Sequence, residues 1–332
     1  MFLLVIINFL QKEMKQISFF LILFSLISCK KDKEESLTFE LSGKWEQTFD
    51  IFPVPTGKLA MCFSSCANDA YYVGGTYYTL NPDSSTVFFK FTPTWGWQIL
   101  SPFPGRKRTG ATIFGLNEKI YVGLGRSNFF HHWELLNDFW EYDPNTDRWD
   151  SLPAPFPGKG REYAISFVCD GKAYVGTGIG EYAYGDFYSF TPDGCWKQEI
   201  DMSISPRWSA VSFQLDKQTY IAMGYENTVP KGSKFLGVEK FSKFDKKWEK
   251  MKTLNPIEFP DFAIGKGSAI VLNEFGKDFG YVIGENSNES RRYDPRKDKW
   301  YKVNNMQSYA LYFTLNNILY GVQGINTYKL TY

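Results

Sequence analysis

Short apolar stretches recur along the chain, each closed by glycine: YYVGG (71–75), IYVGLG (120–125), AYVGTG (173–178), TYIAMG (219–224), GYVIG (280–284) and LYGVQG (319–324). Other apolar runs precede them across a short polar turn, among them ATIFGL (111–116), AISFVC (164–169) and AVSFQL (210–215). Runs of this length, rich in β-branched and aromatic residues and bounded by turn formers, predict paired strands.

A second pattern lies between them. Trp45, Trp97, Trp149, Trp196, Trp248 and Trp300 follow one another at intervals of 52, 52, 47, 52 and 52 residues. An aromatic stands six or seven residues before each of the last five: Phe91, Tyr142, Phe190, Phe241 and Tyr293. The intervening residues are turn formers such as Asp143-Pro144-Asn145 and Asp294-Pro295, and YDPNTDRW (142–149) returns as YDPRKDKW (293–300), with the same residue at five of eight positions. Each unit therefore reads as four strands, two around the glycine and two around a Tyr-to-Trp hairpin.

A period near fifty, four strands, a glycine closing the second strand and an aromatic followed by Trp resemble the kelch repeat. The resemblance spans residues 43–332, although only the first copy keeps a glycine doublet, Gly74-Gly75. It implies an all-β, six-bladed propeller with four antiparallel strands per blade, because a lone blade leaves both apolar faces uncovered. The sixth unit stops after NTYKLTY (326–332) without its Trp, while Lys44-Trp45-Glu46 precedes any first strand. The N-terminal strand is thus expected to complete the last blade and close the ring; otherwise two sheet edges stay unpaired.

The first residues have another character. MKQISFFLILFSLISC (14–29) carries a Lys, an apolar run too short to span a membrane comfortably, and small or apolar residues before a cysteine. Leu26-Ile27-Ser28-Cys29 resembles the bacterial lipobox, which implies a lipoprotein signal peptide over 1–28, with the true start at either Met1 or Met14, and lipid on Cys29. Residues 29–42, with the run Lys30–Glu35, are expected to be a solvated tether, and 43–332 the propeller. This places the chain in the cell envelope, anchored to the membrane through Cys29 on the periplasmic or the surface side. Removing 1–28 takes away Lys12, Lys15 and Glu13 and leaves 35 Lys+Arg against 35 Asp+Glu. A neutral domain gives no bulk attraction to nucleic acid, and a monomer is expected. Cys62, Cys66, Cys169 and Cys195 match no metal-site spacing and are expected to be mostly free, buried thiols.

Register then brings out candidate chemistry. Lys58, Arg108, Arg161, Arg207 and Gln307 each stand thirteen residues before the aromatic of the second strand, and Lys266 takes that place in unit five. A ring of cations at one mouth of the channel follows. From the same rim come Arg126, Glu181, Glu226, Glu285, Asn286 and Asn326, and a long loop of unit two adds Phe129, Phe130, His131, His132 and Trp133. Such a set suits an anionic or hydroxyl-rich ligand, through bidentate hydrogen bonds and stacking on sugar faces. The kelch resemblance gives the arginines a second reading, in which they satisfy buried carbonyls and join blades.

The two histidines are adjacent and point apart in an extended segment, so the copper site of galactose oxidase cannot be assembled, and no cofactor is expected. No GxSxG elbow, phosphate loop or HExxH helix stands in the context it requires.

Two functions fit. The first is a binding or scaffold propeller that recognises a glycan or an envelope protein through Lys58, Arg108, Arg161, Arg207, Lys266, Arg126 and Trp133. The second, implied by a fold-level resemblance to periplasmic sialic acid mutarotases, is a sugar mutarotase or epimerase. Ring opening of an acidic sugar would then use a carboxylate among Glu181, Glu226 and Glu285.

Overall fold

The computed structural model describes residues 38–53, 62–66, 69–73, 87–129, 132–200, 204–226, 233–234, 237–242, 247–251, 268–283, 290–304, 306–307 and 309–331. The chain divides into two units, Met1–Leu37 and Thr38–Tyr332, and every described strand belongs to the second. Cys29, Lys58, Lys266 and Glu285 lie outside the described residues.

Six antiparallel sheets follow one another along the chain, and no α-helix occurs among the described residues. Their innermost strands are Cys62–Cys66, Thr112–Leu116, Ile165–Cys169, Val211–Leu215, Ser268–Glu274 and Leu311–Leu315. Each is followed outward by three more, as in blade 2: Lys119–Gly123, Phe139–Asp143 and Arg148–Ser151. Blade 6 takes its outermost strand from the start of the chain: Lys44–Ile51 pairs antiparallel with Asn326–Thr331, with Trp45 opposite Leu330. The closure read from the missing sixth Trp is the one observed.

Alternation along the strands creates the core. In Lys119–Gly123, Ile120 and Val122 face blade 1 while Tyr121 faces blade 3. Six buried apolar clusters result, one at each blade junction, and the cluster of Phe313, Tyr320, Tyr72 and Phe91 joins blade 6 to blade 1. Apolar contact therefore runs around the whole ring.

The repeated YDP stretch is the outer hairpin of a blade, and its residues have separate tasks. Asp143 Oδ1 accepts from Asn145 N at 2.8 Å, and Asp294 Oδ1 accepts from Arg296 N at 3.0 Å, which makes the turn. Tyr142 OH donates to Asp147 at 2.7 Å, and Tyr293 OH donates to Asp298 at 2.7 Å. Asp147 also accepts from Ser101 N at 2.9 Å, and Trp149 Nε1 donates to Ser101 O at 3.0 Å. The hairpin thereby holds the segment that leads into its own blade.

One strand was not foreseen. Thr38–Glu40, expected to belong to the tether, pairs in parallel with Lys302–Asn304 as a fifth strand of blade 5. Its hold comes from Phe39, whose ring lies 4.0 Å from the buried Arg292 guanidinium, and from Leu41, buried at the junction of blades 5 and 6. Of the cysteines, Cys169 is half-buried and Cys195 exposed, whereas Cys62 and Cys66 share one innermost strand. The expectation of burial therefore does not hold for Cys195, which sits in the turn of an outer hairpin.

Candidate functional site at the mouth of blades 2 to 4

Three of the register-matched arginines are buried, and each meets the carbonyl two residues before it and a carboxylate. Arg108 donates from Nε to Arg106 O at 2.9 Å, from Nη1 to Leu124 O at 3.1 Å, and to both oxygens of Asp138 at 2.6 and 2.7 Å. Arg161 repeats this with Lys159 O, Thr177 O and Asp186, and Arg207 with Ser205 O and Glu239 Oε2, the last 2.6 Å from Nη2. The carbonyls of Leu124 and Thr177 are available because the second strand ends in two left-handed residues, Leu124-Gly125 (φ 57° and 93°) and Thr177-Gly178 (59° and 93°). At Gly125 a Cβ would come within 2.7 Å of Thr109 O, so glycine is required there.

Phe103 and Phe156 cover the guanidinium groups of Arg108 and Arg161 at 5.0 and 5.1 Å. The structure thus places these arginines inside the blades, each with its charge opposed by a carboxylate. They act as latches between the start of the innermost strand and the loop beyond the second.

The depth of the latch sets its electrostatics. For Asp138, burial pushes the carboxyl up, but hydrogen bonds and charge from Arg108 outweigh it and hold the group below its ordinary range. In blade 4 the carboxylate comes from Glu239, inside the third strand and almost fully buried. Burial drives Arg207 down to about 10 against the pull of Glu239 and Glu226, and pushes Glu239 up against the pull of Arg207. Both partners move toward their neutral forms, as expected when desolvation exceeds Coulombic attraction.

The residues that face the mouth come one and two positions after each latch. The three segments read Arg108-Thr109-Gly110-Ala111, Arg161-Glu162-Tyr163-Ala164 and Arg207-Trp208-Ser209-Ala210. Thr109, Glu162 and Trp208 form isolated bridges with Arg126, Ile179 and Tyr225, the residues just after the glycines. Backbone bonds run around the axis at this level: Tyr163 N donates to Gly110 O at 2.8 Å and Ser209 N to Tyr163 O at 3.3 Å. Gly125 N donates to Arg161 O at 2.7 Å, and Gly178 N to Arg207 O at 2.8 Å. Gly110, Tyr163 and Ser209 all have positive φ, an uncommon conformation for a bulky tyrosine.

This ring of turns delivers unlike side chains to one place. Glu162, buried, leans from blade 3 across Gly110, where a Cβ would come within 2.9 Å of the Glu162 Cβ, toward Arg126 of blade 2. Arg126 Nε lies 3.3 Å from Glu162 Oε2. Over Arg126 sits Trp133, its ring centroid 4.2 Å from the guanidinium carbon and half its surface exposed. Trp133 and Arg126 belong to a ribbon, Arg126–Phe129 paired with His132–Leu135, that rises beyond the second strand of blade 2. On the other side Tyr163 packs on Trp208 at 5.7 Å, and Trp208 stacks on Tyr225 at 4.8 Å and 27°. A carboxylate, a partly exposed guanidinium and aromatic faces thus meet at the mouth, a combination that can hold an acidic sugar and move a proton on it.

Of the expected residues, Arg126 and Trp133 come together here. Glu226 is half-buried and near enough to Arg207 and Glu239 to act on both, while Glu181 is exposed beside Lys159. Sequence reasoning missed Glu162, Tyr163, Trp208 and Tyr225. For Glu162, Tyr163 and Trp208 the available signal was the break in repetition between the shared arginine and alanine.

No family model matches the chain. N-acetylneuraminate epimerases of Escherichia coli and of Shigella flexneri are each 32% identical to it over 94 residues, 28% of this chain and 25% of the relative. The match thus spans about a quarter of those relatives' length. The solved structure of YjhT superposes with a TM-score of 0.64 at 17% identity, over 84% of this chain and 95% of that one. The six-bladed propeller is therefore shared with a known protein, and part of the sequence is similar to sugar epimerases.

Proposed function

We propose that this protein is a sugar mutarotase or epimerase acting on an acidic sugar such as N-acetylneuraminate. The observation that carries the proposal is the buried Glu162 carboxylate 3.3 Å from an Arg126 that is 30% exposed, beneath an open Trp133 ring. The partial similarity to N-acetylneuraminate epimerases supports the same reading.

The chemistry needs little beyond these groups. Glu162 takes the proton from the anomeric hydroxyl as the bond between the anomeric carbon and the ring oxygen breaks, and the ring oxygen takes a proton from solvent water at the open mouth, which is returned to solvent on ring closure. The carbonyl so formed turns and is attacked by the returning hydroxyl from its other face, which restores both protons. No electrons are exchanged. Arg126 keeps its terminal nitrogens for the sugar carboxylate while Nε faces Glu162. Trp133 and the Trp208–Tyr225 stack receive the apolar faces of the ring. The buried Arg108, Arg161 and Arg207 hold the turns that present these side chains. Anchoring through a lipid on Cys29, as the first residues suggest, would put the reaction in the cell envelope.

The test is proton NMR of freshly dissolved N-acetylneuraminate. Faster anomer equilibration with the protein, lost in Glu162→Gln, is expected. Equilibration at the uncatalysed rate removes the mutarotase reading, and saturation transfer to the sugar without acceleration would instead support a glycan-binding propeller.

A further inference from the structure

Beside the reacting position the rim carries a second aromatic and cationic pair. The ribbon holding Trp133 leans on blade 3: a Cβ on Gly160 would lie 2.5 Å from Leu135 O, and one on Gly180 would lie 3.2 Å from Leu135 Cδ1 and from Gly160 O. The segments 159–160 and 180–182 therefore converge on the ribbon. Trp133 stands on the same face of that ribbon as Leu135, two residues on.

From segment 180–182 Tyr182 projects, 46% exposed, with Lys159 Nζ 5.4 Å from its ring centroid and 3.3 Å from its hydroxyl. Its ring is braced by Tyr184 at 5.1 Å, and Tyr184 in turn lies 4.1 Å from the Arg161 guanidinium. The open face is thus backed by a buried latch.

Of the exposed aromatic side chains described, Phe49, Trp95, Trp133, Tyr182 and Phe275, only Trp133 and Tyr182 have a cation on the ring. Glu181 stands next to Lys159, but all three groups face water, where screening weakens its pull. An aromatic face with an adjacent cation suits a pyranose that bears a carboxylate. Two such pairs side by side suit two of them.

We infer that Tyr182 and Lys159 form a second subsite, for the next unit of an acidic oligosaccharide whose reducing end occupies the Arg126–Glu162 position. The inference rests on the mutarotase reading, because ring opening requires a free anomeric hydroxyl. Only the reducing-end unit of such a chain has one, and its neighbour must be joined through a hydroxyl remote from the reacting carbon. That neighbour then lies outward, on Tyr182.

The experiment compares N-acetylneuraminate with its α2,8-linked dimer by NMR titration and anomer equilibration. Wild type is expected to bind the dimer roughly tenfold more tightly than the monomer. Tyr182→Ala and Lys159→Ala should bring the dimer to the monomer's affinity, leaving monomer binding and equilibration unchanged, and Tyr182→Phe should keep the preference. Equal affinity of wild type for both sugars, no binding of either, or equal losses for both in the variants overturns the subsite. A dimer preference sensitive to Tyr182, with no acceleration of either sugar, would instead overturn the mutarotase reading and leave a two-unit glycan site.

Discussion

Replacing Arg161 by Met tests whether the latch carries stability. The guanidinium is fully buried, donates to Lys159 O and Thr177 O at 3.0 Å each, pairs with both oxygens of Asp186 and lies on the ring of Tyr184. Methionine fills much of the volume but leaves two carbonyls and one carboxylate without their donor. Breaking a buried pair from one side costs about 3–5 kcal/mol. The lower part of that range applies here, because the Asp186 side chain is 30% exposed and recovers some hydration. For a domain of this size the fall in Tm is on the order of 10 °C. The internal control is Arg106→Ala: Arg106 also pairs with a carboxylate, that of Glu134, but the side chains are 61% and 59% exposed. A pair this open contributes less than about 1 kcal/mol. Thermal and urea unfolding followed by tryptophan fluorescence would compare the two, and Asp186→Asn with the double variant would give the coupling energy. If Arg161→Met and Arg106→Ala lowered stability equally, or if the Arg161 and Asp186 effects simply added, the buried pair would not be a latch.

Glu162→Gln should lower the equilibration rate of N-acetylneuraminate by about 10²- to 10⁴-fold with little change in affinity, the range for loss of a positioned acid–base group; an unaltered rate would exclude Glu162 as the proton carrier. Tyr142→Phe should cost about 1–2 kcal/mol, since the hydroxyl bond to Asp147 is lost while Asp147 keeps Ser101 N at 2.9 Å; no change in the urea midpoint would refute it. Two latches should respond to acid with opposite signs. Asp138, held below its ordinary 3.8, adds stability above that pH that disappears as the pH falls through its folded-state value. Glu239, pushed above its ordinary 4.5, adds stability below that pH that disappears as the pH rises through its raised value. Asp138→Asn should therefore flatten the acid fall of the urea midpoint, and an unchanged slope would refute the assignment.

Repetition made the fold legible and concealed the site, for one physical reason. A blade is stable only if its four strands match those of its neighbours, so the residues that fill the junctions and hold the turns recur at fixed spacing. Tyr142, Trp149, Arg108, Arg161 and Arg207 belong to that set, and a search by register finds them first. The ring closure by Lys44–Ile51 was legible for the same reason, as a gap in a regular series. Thr38–Glu40 was not, because an alternation of three residues is too short to stand out and Phe39 is held by Arg292, more than 250 positions away. Nor was the ribbon around Trp133, because its unit keeps the ordinary 52-residue interval from Trp97 to Trp149 and leaves no mark on the period.

A ligand gives no reason for six blades to agree. Under the proposed function it meets Arg126 and Trp133 of blade 2, Glu162 of blade 3 and Trp208 with Tyr225 of blade 4, so the positions facing it are free to differ while their supports stay alike. Between the shared arginine and alanine the three blades that carry a described latch have Thr109-Gly110, Glu162-Tyr163 and Trp208-Ser209. Gly110 is small where Glu162 must cross, and Tyr163 takes a left-handed backbone that the blade geometry demands of whatever stands there. The arginine latches thus fix where each turn points, and the two residues after each latch, where the repeat stops repeating, include Glu162 and Trp208 of the proposed site, while its Arg126 and Trp133 come from the ribbon beyond the second strand.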